Sequence, residues 1–283
     1  MILVTGATGN IGGEVLKQLL EVGAPVRVLA RDPAKAAAKL GAAVTVVRGD
    51  LDAPETLGPA FAGVTKAFVL STGPELARLD GNAIDAARAA GVAHVVTLSV
   101  LGAEIEPGLQ LARWHRESEK KLEASGLAWT FLRPGAFASN ALGWIPMIKA
   151  QGVVYSPAGE GKSAPIDPRD IAAVAVKALT SPGHEGKAYT LTGPELLSTG
   201  EQVAKIGAAI ARPLRFVDVP PQAARDGMLK AGMHPLLVDA LLELMAAVRT
   251  GHGATISPAV ATVLGRPART FDAWVHDHAA AFR

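Results

Sequence analysis

The sequence predicts an α/β protein: a doubly wound parallel sheet covered by helices, followed by a smaller, mostly helical C-terminal region. Three observations predict it. Short apolar runs alternate with stretches of helical spacing through the first half of the chain. Three glycines, Gly6, Gly9 and Gly12, fall between the first run and the first helical stretch. After Pro134 the alternation gives way to helical patterns with isolated short strands.

The expected strands are Ile2 to Val4, Val26 to Leu29, Val44 to Val47, Ala67 to Leu70, His94 to Leu98 and Trp129 to Leu132. Their near-continuous apolar character suits strands buried on both faces. Between them, Ile11, Val15 and Leu19 repeat at helical spacing, as do Leu76, Leu79, Ala83 and Ala87. Beyond Pro134, a helix is expected over Ala136 to Ala150, interrupted by Gly143 and Pro146. Val153 to Tyr155 and Lys187 to Thr192 read as strands. Asp167 before Pro168 starts an apolar helix, and the tail from about Ser198 reads as mostly helical, clearest in "HPLLVDALLELMAAV". This gives a nucleotide-binding core over 1–135, with 163–182 returning to it. A smaller substrate-binding region covers 136–162 and 183–283.

The bulk properties exclude several classes. A formal net charge of +2 over 283 residues gives no reason to expect nucleic acid or an anionic membrane as partner. There is no cysteine, so disulfides, thiol nucleophiles and cysteine metal sites are ruled out. His276 and His278 lack further ligands at metal spacing, and no metal is expected. No basic segment precedes the first apolar run, and no stretch reaches the roughly 18 apolar residues of a membrane span. A soluble, cytoplasmic protein is expected. "SPAGEGKS" imitates a phosphate loop, but Ser156 stands at the first glycine position and Pro165 blocks the helix that should follow.

The glycine cluster points to a dinucleotide. Gly6 permits a tight turn, Gly9 lets backbone approach a ligand, and Gly12 lets the helix pack closely on the strand. The helix N-terminus beyond them offers N–H groups to a pyrophosphate. The second strand ends in Ala30 and Arg31, where NAD proteins place an acidic residue for the ribose 2′-hydroxyl. A guanidinium there suits a 2′-phosphate, with Lys35 one helical turn on; the alternative is a solvated surface Arg. Asp50, ending the third strand, either accepts from an adenine amino group or simply starts a helix.

At this point the sequence resembles a known family. "TGATGNIG" at Thr5 to Gly12, "RDP" at Arg31 to Pro33 and "GDLDAPETL" at Gly49 to Leu57 look like the atypical short-chain dehydrogenase/reductases. Adding "ESEKKLEASGLAWTFLRPGAFASN" narrows this to the NmrA-like branch, especially its NADPH:quinone oxidoreductases. The resemblance implies a Rossmann-type core, NADP(H), and a C-terminal substrate region. It implies that Gly6, Thr8, Gly9, Asn10 and Ile11 hold the pyrophosphate, with Gly12 behind them and Arg31 at the 2′-phosphate. It puts Asp50 and Leu51 near the adenine. Ser71, Thr72 and Gly73 would flank the ribose on the nicotinamide side. Pro134, at the exit of the sixth strand, is counted with the cofactor residues.

The chain departs from the family at one point. The Tyr and Lys of the usual Tyr-x-x-x-Lys pair would fall at Leu111 and His115. The chain's two tyrosines, Tyr155 and Tyr189, are not followed by Lys at that spacing. Alcohol dehydrogenation by the family's usual route is therefore not expected. His115, one turn from Glu119, is either a proton donor with an ordinary pKa or a solvated residue of the charged run "RWHRESEKK". That run, alternating in sign, reads as a solvated helix face. Ser99, ending the fifth strand, is either a substrate-binding hydroxyl or structural. Phe137 and Asn140 are expected to line the substrate site, unless Phe137 is a core residue. The favoured function is NADPH-dependent hydride transfer to a small acceptor, a quinone or a similarly flat electrophile. The alternative is a non-catalytic NADP(H) sensor acting through a partner protein.

Overall fold

The computed structural model describes residues 1–41 and 44–283. The first half runs β1 (Ile2–Val4), α1 (Asn10–Glu21), β2 (Val26–Ala30), α2 (Pro33–Leu40), β3 (Thr45–Arg48), α3 (Gly58–Phe61), β4 (Lys66–Val69), α4 (Leu76–Ala89), β5 (His94–Leu98), α5 (Gln110–Ala124) and β6 (Ala128–Pro134). It continues α6 (Ile145–Gln151), β7 (Val153–Ser156), β8 (Lys162–Ser163), α7 (Pro168–Thr180), β9 (Lys187–Leu191), β10 (Leu197–Ser198), α8 (Thr199–Ala209) and β11 (Arg215–Asp218). Four helices close it: α9 (Pro221–Lys230), α10 (Pro235–Arg249), α11 (Ala259–Leu264) and α12 (Phe271–Phe282).

Seven strands form one sheet in the order β3-β2-β1-β4-β5-β6-β9, and all neighbours among the first six pair in parallel. This is the doubly wound, Rossmann-type fold expected. Because β1 sits between β2 and β4, Val4 faces Val28 on one side and Phe68 on the other. The chain reverses direction across the sheet there, so the crevice for a ligand lies outside the carboxyl ends of β1 and β4. Leu3, Val4, Val95 and Val96 are wholly buried, as strands covered on both faces require. The stripe of α1, Ile11, Val15, Leu16 and Leu19, is buried, and α1 packs along α7. The small, apolar residues of α7 allow that close approach: Ile171, Ala172, Val174 and Ala175 are fully buried.

The chain divides into two compact units. The first comprises 1–106, 112–133 and 168–189, with a core that includes Leu57, Phe61, Ile84, Leu122 and Phe131. The second comprises 107–111, 134–167 and 190–283, around Ile148, Val154, Ile206, Phe271 and Trp274. Three features differ from the sequence expectation. β9, assigned above to the smaller region, is the seventh strand of the main sheet. The expected helix over Ala136 to Ala150 is a 3-10 turn at Ala138–Trp144 and then α6, because Pro146 in the first turn suits a helix start and not an interior. β11, in the stretch read as helical, pairs in parallel with β7, Phe216 opposite Val154. Four residues, half of them exposed, leave too little alternation to read. Among the described residues no helix is long and apolar enough to cross a membrane.

Candidate active site

The turn between β1 and α1 is built by its glycines. Gly6 takes φ +64, a left-handed conformation that favours glycine, and accepts from Gly9 N at 2.9 Å. Thr5 fixes the turn to the neighbouring strand: its Oγ1 donates to Leu70 O at 3.1 Å and accepts from Leu70 N at 2.8 Å. A Cβ on Gly12 would lie 2.3 Å from Gly6 O, so here helix and turn touch backbone to backbone. A Cβ on Gly9 would meet only Gly6 O, at 3.2 Å. Gly9 caps α1 without any side-chain hydrogen bond, and no acidic residue occupies the first turn. The N–H donors of a twelve-residue helix and the side-chain-free approach at Gly9 fit a pyrophosphate. Two variants separate packing from binding. Gly12→Ala is expected to lose about 1–3 kcal/mol of stability in urea unfolding, because backbone must move. Gly9→Ala is expected to lose less stability than Gly12→Ala but to weaken dinucleotide binding in a direct titration.

Around the turn, Thr8 and Asn10 are exposed and Ile11 is buried. Lys39, from the last turn of α2, donates from Nζ to Thr8 O at 2.7 Å. Sequence reasoning missed Lys39; its signal was its place one turn beyond Lys35. Arg31 and Lys35 are both exposed where β2 gives way to α2, and Asp32 caps that helix by accepting from Lys35 N at 3.0 Å. At the exit of β3, Asp50 Oδ1 accepts from Asp52 N at 3.1 Å, and Leu51 O accepts from Asn82 Nδ2 at 2.8 Å. At the exit of β4, Ser71 Oγ donates to Asp80 Oδ1 at 2.5 Å. Thr72 is exposed, and Gly73 has φ +89.

At the ends of β5 and β6 the structure corrects the reading of α5 as a solvated face. Glu119 is completely buried. Ser99 Oγ donates to its Oε1 at 2.6 Å, and Arg133 clamps it with Nε on Oε1 at 2.9 Å and NH2 on Oε2 at 2.8 Å. Arg116 adds a contact at 3.1 Å, and Glu104 pairs with Arg133 at 3.1 Å. Burial alone would raise the Glu119 carboxyl, but the hydrogen bonds from Arg133 and Ser99 and the Arg133 charge hold it below the usual range. Ser99, read above as either a substrate-binding hydroxyl or a structural one, is 4% exposed and donates its proton to Glu119. His115, one turn from Glu119, is half-buried. Burial pushes its imidazole down to about 4, against the pull of Glu119 and a hydrogen bond to the Leu98 backbone. Of the two readings the sequence left open, this shift speaks against a proton donor of ordinary pKa, and the half-buried ring is not a fully solvated one either. Its desolvation comes from the fold of α5 onto β5, which the charged sequence run conceals.

Neither tyrosine replaces the missing one. Tyr189 hydrogen-bonds to His184 Nδ1 at 2.8 Å, and His184 O accepts from Thr130 Oγ1, itself bonded to His94. His94 begins β5 and Thr130 is the third residue of β6, so this cluster lies toward the amino ends of those strands, away from Ser99 and Arg133. In the second unit, Tyr155 is exposed and bonded to Gln151. Pro134 ends β6 and is buried, Phe137 is half-buried beside Ile166, and Asn140 is exposed. The "SPAGEGKS" loop is held by Arg249, which reaches Pro157 O at 3.0 Å and both oxygens of Asp218. Among the described residues no group of three His, Asp or Glu side chains could hold a metal ion.

A doubly wound sheet with a triple-glycine turn at its switch point defines a dinucleotide-binding protein. Residues 6–182 match a family described as NAD(P)H-binding. The chain is 44% identical to the NAD(P)H azoreductase of Xenophilus azovorans, over 100% of this chain and 99% of that one. It is 31% identical to quinone oxidoreductase 2 of Escherichia coli, over 95% of this chain and 96% of that one. The structure of the NADPH-dependent quinone oxidoreductase from Escherichia coli complexed with NADPH superposes with TM-score 0.87 at 30% identity, covering 98% of this chain and 99% of that one. The Citrobacter triphenylmethane reductase gives 0.85 at 25% identity, with 98% of each chain covered. The chain belongs to the NAD(P)H-binding family, among its NmrA-like, quinone oxidoreductase-type oxidoreductases.

Proposed function

We propose that the protein is an NADPH-dependent reductase that passes hydride to a quinone or a similarly flat, electrophilic acceptor. The observation that carries this reading is the composition of α5: Leu111 and His115 stand where a Tyr and Lys would serve alcohol chemistry, and burial holds the His115 imidazole below its usual range. NADPH, when bound, supplies the hydride. The residues of the chain do the rest. Gly6 to Gly12 and the α1 N-terminus receive the pyrophosphate, Arg31 with Lys35 the 2′-phosphate, and Asp50 and Leu51 the adenine. Ser71 to Gly73 flank the nicotinamide ribose, and Phe137 and Asn140 contact the acceptor. Ser99 positions Glu119 and does not handle protons, because its own proton is committed. The proton for the reduced acceptor comes from water. A conjugated acceptor tolerates this, since it delocalises the charge that arrives with the hydride. The azo, triphenylmethane and quinone reductases among the relatives are named for conjugated acceptors.

The test is NADPH oxidation by purified protein against a panel of quinones, an azo dye and a simple ketone. Turnover with the conjugated acceptors and none with the ketone is expected. Tight NADPH binding with no turnover on any acceptor would favour the sensor reading instead. Within the same assay, His115→Ala is expected to lose only a few-fold in kcat. A positioned general acid contributes about 10²–10⁴-fold, and a loss of that size with unchanged NADPH affinity would make His115 the proton donor.

A further inference from the structure

Asp80, on α4, is a buried carboxylate with no cation against it. It is 1% exposed. Its two oxygens accept from two serines: Oδ1 from Ser71 Oγ at 2.5 Å and Oδ2 from Ser118 Oγ at 2.9 Å. Ser71 belongs to the loop leaving β4, and Ser118, itself 3% exposed, to α5. One turn of α4 thus ties that loop to a helix. Two residues on, Asn82 Nδ2 donates to Leu51 O in the loop leaving β3. The loop after β4 in turn touches the glycine turn, through the paired hydrogen bonds between Thr5 and Leu70. From two different faces, α4 therefore braces the loops that leave the carboxyl ends of β4 and β3.

We propose that Asp80 is a positioning residue for the dinucleotide, which fixes the loop after β4 through Ser71 and Ser118 and so sets cofactor affinity. The inference rests on the reading of the first unit as NADP(H)-binding.

The burial of this group sets what its removal should do to stability. Burial pushes the Asp80 carboxyl up to about 6, against the opposing pull of Ser71 and Ser118. The charged groups on the packed elements are engaged elsewhere. Lys121 of α5 lies over Gly81 and pairs with Asp85 at 2.9 Å, Arg78 pairs with Asp52 and Glu75, and Glu119 is clamped by Arg133. A carboxyl whose folded pKa is raised stabilises the fold fully only below its unfolded pKa, and that contribution is lost as pH rises through about 6. At neutral pH the ionised Asp80 therefore burdens the fold.

The experiment titrates wild type, Asp80→Asn and Ser118→Ala with NADPH and with NADH at neutral pH, by fluorescence of the bound nicotinamide, and records Tm for each. Asp80→Asn is expected to bind both nucleotides about 10-fold more weakly, equivalent to about 1.4 kcal/mol. Its Tm should be unchanged or higher. Ser118→Ala, which keeps Asp80 but removes the strut from α5, should lose a few-fold for both nucleotides, and it decides the matter if Asp80→Asn does not fold. Unchanged affinity in the variants overturns the proposal. So does a loss confined to NADPH, which would place the effect at the 2′-phosphate. So does a loss that follows a fall in Tm in both variants. A wild type that binds neither nucleotide overturns the dinucleotide reading, and this inference with it.

Discussion

Arg133→Met is expected to lower the free energy of unfolding by about 3–5 kcal/mol, because it leaves a buried carboxylate without its main counter-charge. The Glu119 side chain is 1% exposed and that of Arg133 13%, so solvent does little to screen the loss. Ser99 and Arg116 would remain, but one neutral hydroxyl and one longer contact do not replace a bidentate guanidinium. Urea unfolding measures the effect. The double variant Arg133→Met with Glu119→Leu should recover most of it, since the stranded charge is then gone. A loss below about 1 kcal/mol for the single variant would mean that the carboxylate finds water or protonates cheaply. The sign with pH follows from the lowered Glu119 pKa. The pair's contribution is complete above the ordinary glutamate value and is lost as pH falls through the lowered one. Neutral conditions therefore show the full effect.

Arg31→Asp is expected to cost about 10- to 150-fold in NADPH affinity. A charge-assisted contact contributes about 1.5–3 kcal/mol, and each 1.4 kcal/mol is a decade. The side chain is exposed where β2 meets α2 and Asp32 is occupied in capping that helix, so the substitution should spare the fold. NADH affinity should hold or rise, because an acidic residue at that place suits a ribose 2′-hydroxyl. Equal dissociation constants of the wild type for NADPH and NADH would remove Arg31 from the 2′-phosphate. Asp80→Asn, which acts through the loop after β4, should weaken both nucleotides alike, so the two substitutions report on different ends of the cofactor.

The alternation of strands and helices, the parallel sheet and the turn at Gly6 to Gly12 were all legible in the sequence. Their signals are local. A strand buried on both faces must be apolar along its length, and a helix on a sheet must repeat its apolar residues every three or four. A turn at φ +64 strongly favours glycine. The departure at Leu111 and His115 was legible for the same reason, as a count of residues along one helix.

Charge burial was not legible. Glu119 and Glu117 stand in one charged run, and only the packing of α5 onto β5 and β6 makes the first fully buried and leaves the second exposed. Fourteen positions along the chain, Arg133 supplies the partner for Glu119, and no periodicity links the two. The lowered pKa of His115, the commitment of the Ser99 and Ser71 hydroxyls, and the reach of Lys39 to Thr8 have the same origin. Each depends on which side chains the tertiary fold brings within about 3 Å. The sequence by itself determined the sheet and the glycine turn after β1, because their constraints are conformational and act within a few residues. Only the tertiary structure decided which polar groups remain available for chemistry, because desolvation and hydrogen bonding are set by neighbours distant along the chain.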